Sequence, residues 1–178
     1  TKFLEENGIT VPRSELFSDK SDLHLLLSQY KDQYVIVKNR YESASIGMTD
    51  KNVFRLCQNS LQHLNNLLKE MCTDSLLVQE YIDGIECEVL VLQYKGKYYA
   101  LDPVQILFKT NLNFIDTDTS NTYNYEFKVI ESSIKFLLQA TAQKAAELLG
   151  VKDYARFDFR IKGDRPYLID IAGTPYTI

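Results

Sequence analysis

Residues that interrupt or disorder a chain are scarce here: four prolines and seven glycines stand among 178 residues, of which 45% are hydrophobic and 25% charged. That composition excludes a disordered segment and describes an ordinary folded protein, one domain with two lobes at this length. Long apolar runs are missing too. The longest, such as residues 89–92, fall far short of the roughly 20 residues a membrane span requires, and no charged-then-apolar leader opens the chain. A soluble protein with no membrane partner is expected. The net charge of −4 comes from acids and bases mixed along the whole length, with no basic block to bind a phosphate backbone, so nucleic acid is excluded as a partner. Cysteine is limited to Cys57, Cys72 and Cys87, an odd number without C-x-x-C spacing and among apolar neighbours. Buried thiols in a reducing compartment, the cytoplasm, are predicted. No internal repeat or low-complexity stretch is present. The chain opens at Thr1 without a methionine and stops at Ile178 directly after a strand-like run, as expected of a piece cut from something longer.

What is present reads as an α+β pattern that changes texture near residue 75. Residues 1–7 predict a short helix ended by Gly8, which tolerates the left-handed cap. Ser21 is the expected N-cap of a second helix with Leu23, Leu26, Leu27 and Tyr30 at helical spacing. The β-branched run 34–38 predicts a buried strand that delivers Lys38 into a polar loop, 39–47. Asp50 or Thr49 then caps a predicted long amphipathic helix, with Val53, Leu56, Cys57, Leu61, Leu64, Leu67, Leu68 and Met71 on its apolar face. From 76 onward strands dominate: 76–82, 86–94, a Lys95-Gly96 turn, and 97–107. Residues 109–126 have no period and read as a long loop, the kind that often serves as a lid. A helix over 133–149, with Ile134, Leu137, Leu138, Ala145, Leu148 and Leu149 inward and Gly150 as its stop, precedes a closing hairpin of 154–161 and 166–172.

That hairpin is the most informative segment, because alternation sorts its residues onto two faces. Phe157, Phe159, Ile161, Tyr167, Ile169 and Ile171 form an apolar face. Arg156, Asp158, Arg160, Leu168, Asp170 and Ala172 form the other. With the turn centred on Asp164, Asp158 lies directly across from Asp170. Facing carboxylates destabilise a ladder unless a cation or a shared proton lies between them. A divalent hard ion such as Mg²⁺, which takes carboxylate and phosphate oxygens, answers that need. Arg156 and Arg160 neutralising the acids in a solvated face answers it as well, and pattern alone does not choose.

Tyr154-Ala-Arg-Phe-Asp158-Phe followed by Tyr167-Leu-Ile-Asp170-Ile resembles the metal-binding hairpin of D-alanine-D-alanine ligases in the ATP-grasp superfamily. Three further stretches resemble the same family in the expected order. Lys2-Phe-Leu with Asn7-Gly-Ile-Thr-Val-Pro12 is similar to its entry segment. Val35-Ile-Val-Lys38 through Glu42-Ser-Ala-Ser45-Ile-Gly-Met48 is similar to its phosphate-side strand and loop, and Leu77-Val-Gln-Glu80-Tyr-Ile-Asp-Gly84-Ile-Glu86 to its adenine and ribose hinge. The resemblance covers nearly the whole chain. It implies an ATP-grasp fold of two α+β lobes with mainly antiparallel sheets enclosing a nucleotide cleft, residues 1–75 forming the first lobe and 76–178 the second.

Carried over residue by residue, the resemblance implies ATP and Mg²⁺ as cofactors. Lys38 would neutralise phosphate charge, and the backbone of Gln79, Glu80, Tyr81 and Ile82 would bond the adenine edge. Glu86 would accept from the ribose hydroxyls. Ser45, Ile46 and Gly47 would form a flap over the β- and γ-phosphates. Asp158 and Asp170 would hold the metal, with Arg156 stabilising an acyl-phosphate and the tetrahedral state after it; Arg156 and Ser45 are the catalytic candidates. The implied activity is ATP-dependent joining of a carboxylate to an amine, the partner being a small amino-acid or peptide substrate held in part by an N-terminal domain outside this span.

Several positions depart from the family. Ala172 stands where it has a third metal ligand, asparagine; Asp170 replaces its usual Glu, and Ala44 its flap serine. Asn39 replaces a proline, Tyr176 a glycine, and residues 114–125 contain no lid lysine. The alternatives are therefore a degenerate ATP-grasp module that binds nucleotide or a partner without catalysis, and an ATP-grasp ligase with another amino-acid substrate.

Overall fold

The computed structural model describes residues 2–41, 45–109, 114–122 and 124–173. In chain order the elements are α1 (Lys2–Glu6), β1 (Ser14–Phe17), α2 (Asp22–Tyr30), β2 (Tyr34–Asn39), β3 (Val53–Arg55), α3 (Leu61–Glu70), β4 (Leu76–Glu80) and β5 (Ile85–Tyr94). Then follow β6 (Lys97–Ala100), β7 (Val104–Phe108), α4 (Thr117–Thr122), β8 (Tyr125–Val129), α5 (Ile134–Leu149), β9 (Tyr154–Lys162) and β10 (Arg165–Ala172). They sort into two compact units, each with its own sheet and core. One comprises the described residues of Arg13–Tyr81 and Phe108–Asn124, the other those of Thr1–Pro12, Ile82–Leu107 and Tyr125–Ile178. The expected division at residue 75/76 falls at the start of β4, a strand hydrogen-bonded between β1 and β2, and the chain leaves that unit after Tyr81.

In the first of these units, four antiparallel strands lie in the order β1-β4-β2-β3. Val35, Val37, Leu76 and Val78 point to one side and pack with Leu26 and Tyr30 of α2 and Leu64 and Leu67 of α3, all nearly or fully buried. The long helix predicted from residue 50 is broken here. A 3₁₀ turn at Asp50–Asn52 is followed by β3, a second 3₁₀ turn at Gln58–Ser60, and only then α3. Val53 and Phe54 are β-formers that pair with Ile36 and Val35 across the sheet edge. Asn52 is fully buried; its amide donates to the Val37 carbonyl at 2.7 Å while its oxygen accepts from the Thr49 amide at 2.9 Å. That bond to Val37, the local cap at Thr49 and the pairing of Val53 and Phe54 outweigh a 3.6-residue period that holds only from Leu61 onward.

The other unit has a six-stranded antiparallel sheet, β10-β9-β5-β7-β8 with β6 also on β5. Helix α5 covers it with Leu138, Ala142, Ala145 and Ala146, against Val89, Val91, Phe157 and Phe159. Leu137 and Leu149, expected inward, are 46% and 44% exposed. Small alanines let the helix approach the sheet closely, and the stripe that they set turns those leucines outward. Gly8 (φ +74°) and Gly150 (φ +62°) end their helices in the left-handed conformation, as expected. The strand expected over 97–107 divides into β6 and β7 around Pro103, which has no amide to donate to a ladder. All three cysteines are free thiols: Cys87 is buried and Cys57 partly so, whereas Cys72, expected inside, is exposed. Among the described residues no helix is long and apolar enough to cross a membrane.

The closing hairpin carries the largest local correction. A two-residue turn at Gly163-Asp164 pairs Lys162 with Arg165, and that register continues to Phe159 opposite Leu168. A bulge then shifts it, so that Asp158 faces Asp170, Phe157 faces Ile171 and Arg156 faces Ala172. The bulge switches parity on β10: Pro166 and Leu168 are buried ahead of it and Ile171 joins the core after it, leaving Tyr167 and Ile169 outside the buried core. The predicted acid pair is present, reached by a different register near the turn.

Candidate functional site

Lys38 lies on β2 opposite Leu77. Its neighbour Val37 is in the core, so alternation sends the half-buried lysine to the other side of the sheet. On β4, Gln79 is buried opposite Ile36, and Glu80 accepts from the Arg13 guanidinium at 3.2 Å. The amides of Glu80 and Tyr81 are already used, donating to the carbonyls of Arg13 at 2.9 Å and Tyr34 at 3.1 Å.

The flap candidates form a tight turn. Ser45 and Gly47 both have left-handed backbones, φ 58° and 75°, and the Met48 amide donates to the Ser45 carbonyl at 3.0 Å. Thr117, at the start of α4, fastens this turn twice: its hydroxyl donates to the Ser45 carbonyl at 2.7 Å and its amide to the Met48 carbonyl at 3.1 Å. Ile46 is 55% exposed at the tip. Part of the stretch read as a loop is thus a helix tied to the flap. Ala44, whose replacement of a flap serine was noted above, lies outside the described residues, as do Glu42 and Tyr176.

In the other unit the remaining candidates stand in three rungs across β5, β9 and β10. Glu86, Arg160 and Tyr167 share one rung, Glu88, Asp158 and Asp170 the next, and Leu90, Arg156 and Ala172 the third. Arg156 grips Asp158 with two bonds, Nε to Oδ1 at 2.7 Å and Nη2 to Oδ2 at 2.8 Å, and lies 3.5 Å from a Glu88 oxygen. Burial works against the Arg156 charge, but its bond to Asp158 and the attraction of Asp158, Glu88 and Asp170 outweigh it, holding the guanidinium above its ordinary value. Asp170 is exposed, and its Oδ1 accepts from the Ile171 amide at 2.8 Å.

Glu88 was missed in the sequence. Burial first, then repulsion from Asp158, pushes its carboxyl up to about 7, with Arg156 pulling the other way. The signal was the spacing Glu86-x-Glu88 in a predicted strand, which puts both acids on one face; what could not be seen is that β9 would be their neighbour.

Among the described residues no group of three or more His, Cys, Asp or Glu side chains is arranged to hold a metal. Asp158 and Asp170 are the facing carboxylates that would hold one; Arg156 already bonds both Asp158 oxygens, so an ion would take their remaining lone pairs. Two carboxylates suit a hard Mg²⁺ ion, which commonly takes one or two of them and completes its shell with phosphate oxygens and water. Ala172 adds no oxygen at the third position.

Comparison with known proteins identifies the fold and the family. The D-alanine--D-alanine ligase of Aquifex aeolicus is 24% identical over 176 residues, 98% of this chain and 56% of that protein. The one from Maridesulfovibrio salexigens is 27% identical over 175 residues, 96% and 54%. Among solved structures, the VanG D-Ala:D-Ser ligase from Enterococcus faecalis superposes with a TM-score of 0.72 at 16% identity, covering 97% of this chain and 50% of that one. The Bacillus anthracis D-alanine--D-alanine ligase complexed with ATP gives 0.67 at 17% identity, covering 97% and 52%. These structures share the ATP-grasp fold, and the chain spans about half the length of the relatives it matches. The family model described as "D-ala D-ala ligase C-terminus" matches residues 5–176, and the chain belongs to that family.

Proposed function

We propose that this chain is the ATP- and Mg²⁺-binding part of an ATP-dependent carboxylate–amine ligase. The observation that carries the reading is the Asp158/Asp170 pair with Arg156 gripping Asp158, in a chain of this family. In such a reaction the γ-phosphoryl group passes from ATP to a carboxylate oxygen, releasing ADP; an amine then attacks the acyl carbon and phosphate leaves as the amide forms. Bound Mg²⁺ would neutralise phosphate charge, with Asp158 and Asp170 as its protein ligands. Lys38 contributes a fixed cation to the phosphates. The turn at Ser45, Ile46 and Gly47 offers backbone amides to phosphate oxygens, a role that needs a backbone held in place, as Thr117 does here. Arg156 offers its guanidinium to charge developing on the acyl group.

Adenine contacts are assigned to the backbone from Gln79 to Ile82. Because the Glu80 and Tyr81 amides are engaged within the sheet, the adenine edge is read by carbonyl oxygens and by Ile82. Glu86 takes the ribose hydroxyls. The amino-acid or peptide substrates rely on the part of such a ligase that lies outside this span. The three free cysteines favour a reducing compartment, the cytoplasm.

The absence of a third oxygen ligand at Ala172 favours a second reading, a module that binds nucleotide without joining substrates. Calorimetric titration with ATP and Mg²⁺, followed by ADP release with a panel of D- and L-amino acids, separates the two. Binding with release supports the ligase, and binding without release supports the module. No binding overturns both.

A further inference from the structure

Arg160 is the most deeply buried ion of the chain's acid and base rungs, and the acid pair makes no use of it. Its side chain is 4% exposed and that of its partner Glu86 8%. Nε donates to Glu86 Oε2 at 3.0 Å and Nη2 to the same oxygen, while Nη1 lies 3.3 Å from the Ile82 carbonyl and 3.5 Å from that of Gly84. One guanidinium thus spans the carboxylate and two carbonyls of the segment leading into β5. Only arginine, with five donors in a planar fork and a charge that persists, can make all these contacts together. The segment approaches β9 closely, since a Cβ on Gly84 would lie 2.1 Å from the Ile161 carbonyl oxygen.

Stability alone is a poor reason for this arrangement. A buried ion pair gains little over well-packed apolar side chains of similar volume, because both ions lose their water. What the pair supplies is a carboxylate in a fixed orientation. A carboxylate has about four lone-pair positions and can accept from the fork and from ligand hydroxyls at once.

We propose that Arg160 is a positioning residue for nucleotide recognition, holding the Glu86 carboxylate oriented to accept from the ribose hydroxyls, and anchoring the Ile82 and Gly84 carbonyls on the same fork. This rests on the assignment of Glu86 to the ribose given above. The closing experiment compares ATP with 2′,3′-dideoxy-ATP by calorimetry in magnesium buffer, for the chain, Glu86→Gln and Arg160→Lys, with circular dichroism to confirm folding. The unaltered chain is expected to prefer ATP by about tenfold or more, the value of hydrogen bonds to a charged acceptor. Arg160→Lys keeps the charge and loses the fork; its preference should fall to within about threefold, because ATP binding weakens more than dideoxy binding. A structural role would weaken both nucleotides alike and keep the ratio, which would overturn the proposal while leaving the ribose assignment intact. No preference in the unaltered chain, or an unchanged one in Glu86→Gln, would remove the ribose assignment and the proposal with it. Should Arg160→Lys fail to fold, the double variant Glu86→Gln/Arg160→Met leaves no buried unpaired ion and must bind the two nucleotides equally; discrimination in it overturns the proposal.

Discussion

Glu88→Gln removes one ionisable group from the acid rung while keeping the side chain's shape, and its effect on stability can be worked out from the surroundings. The Glu88 side chain is 11% exposed. Its carboxyl moves from an ordinary 4.5 to about 7, chiefly through burial and then through repulsion by Asp158, against the attraction of Arg156. A raised carboxyl pKa means that the native state binds a proton the unfolded chain has released. This residue therefore costs stability as pH climbs from 4.5 through 7, the reverse of a salt-bridged acid. At ~1.4 kcal/mol per pH unit between the two values, the cost is near zero at pH 4 and on the order of 3 kcal/mol at pH 8. Urea unfolding followed by far-UV circular dichroism suits a chain with no tryptophan. The difference in unfolding free energy between Glu88→Gln and the unaltered chain should shift in favour of glutamine by about 3 kcal/mol from pH 4 to pH 8. Parallel profiles would refute the reasoning. A shift in favour of glutamate would show that the attraction of Arg156 exceeds the cost of burial.

Four further outcomes are expected. Gly84→Ala places a Cβ 2.1 Å from the Ile161 carbonyl oxygen and 2.7 Å from its carbon, both backbone atoms, so unfolding free energy should fall by about 2–4 kcal/mol. Gly96→Ala, which meets nothing within 4 Å and has only a left-handed backbone against it, should lose about 1–2 kcal/mol; equal urea midpoints for the two would show that the Gly84 segment can move aside. Asn52→Ala strips the bonds to Val37 and Thr49 and should cost about 2 kcal/mol in the same assay, with no loss meaning that the turn into β3 holds without them. In thiol titration of the native chain, exposed Cys72 should react first and Cys87 only on unfolding, because burial shields its thiol and pushes its pKa up. Early labelling of Cys87 would contradict that core.

The sequence by itself determined whatever depends on neighbours along the chain. The β-branched run 34–38 marked β2 and alternation marked β9, glycines at 8 and 150 marked helix ends, and a turn centred on Asp164 set Asp158 across from Asp170, a pairing the structure reaches through its bulge. Tertiary structure decided the rest, where distant residues compete with local preference. Val53 and Phe54 read as helix until β2 offered them an edge to pair with. Residues 166–172 read as simple alternation, but Leu168 and Ile171 both reach the core, and a bulge has to absorb the change of parity between them. Glu88 became a member of the acid rung, and Glu86 the partner of Arg160, only because β5 lies beside β9, a strand more than sixty residues further on. Strand neighbours so far apart are chosen by packing against α5 and not by any local signal, which is why the facing acids could be read from the sequence and the third carboxyl beside them could not.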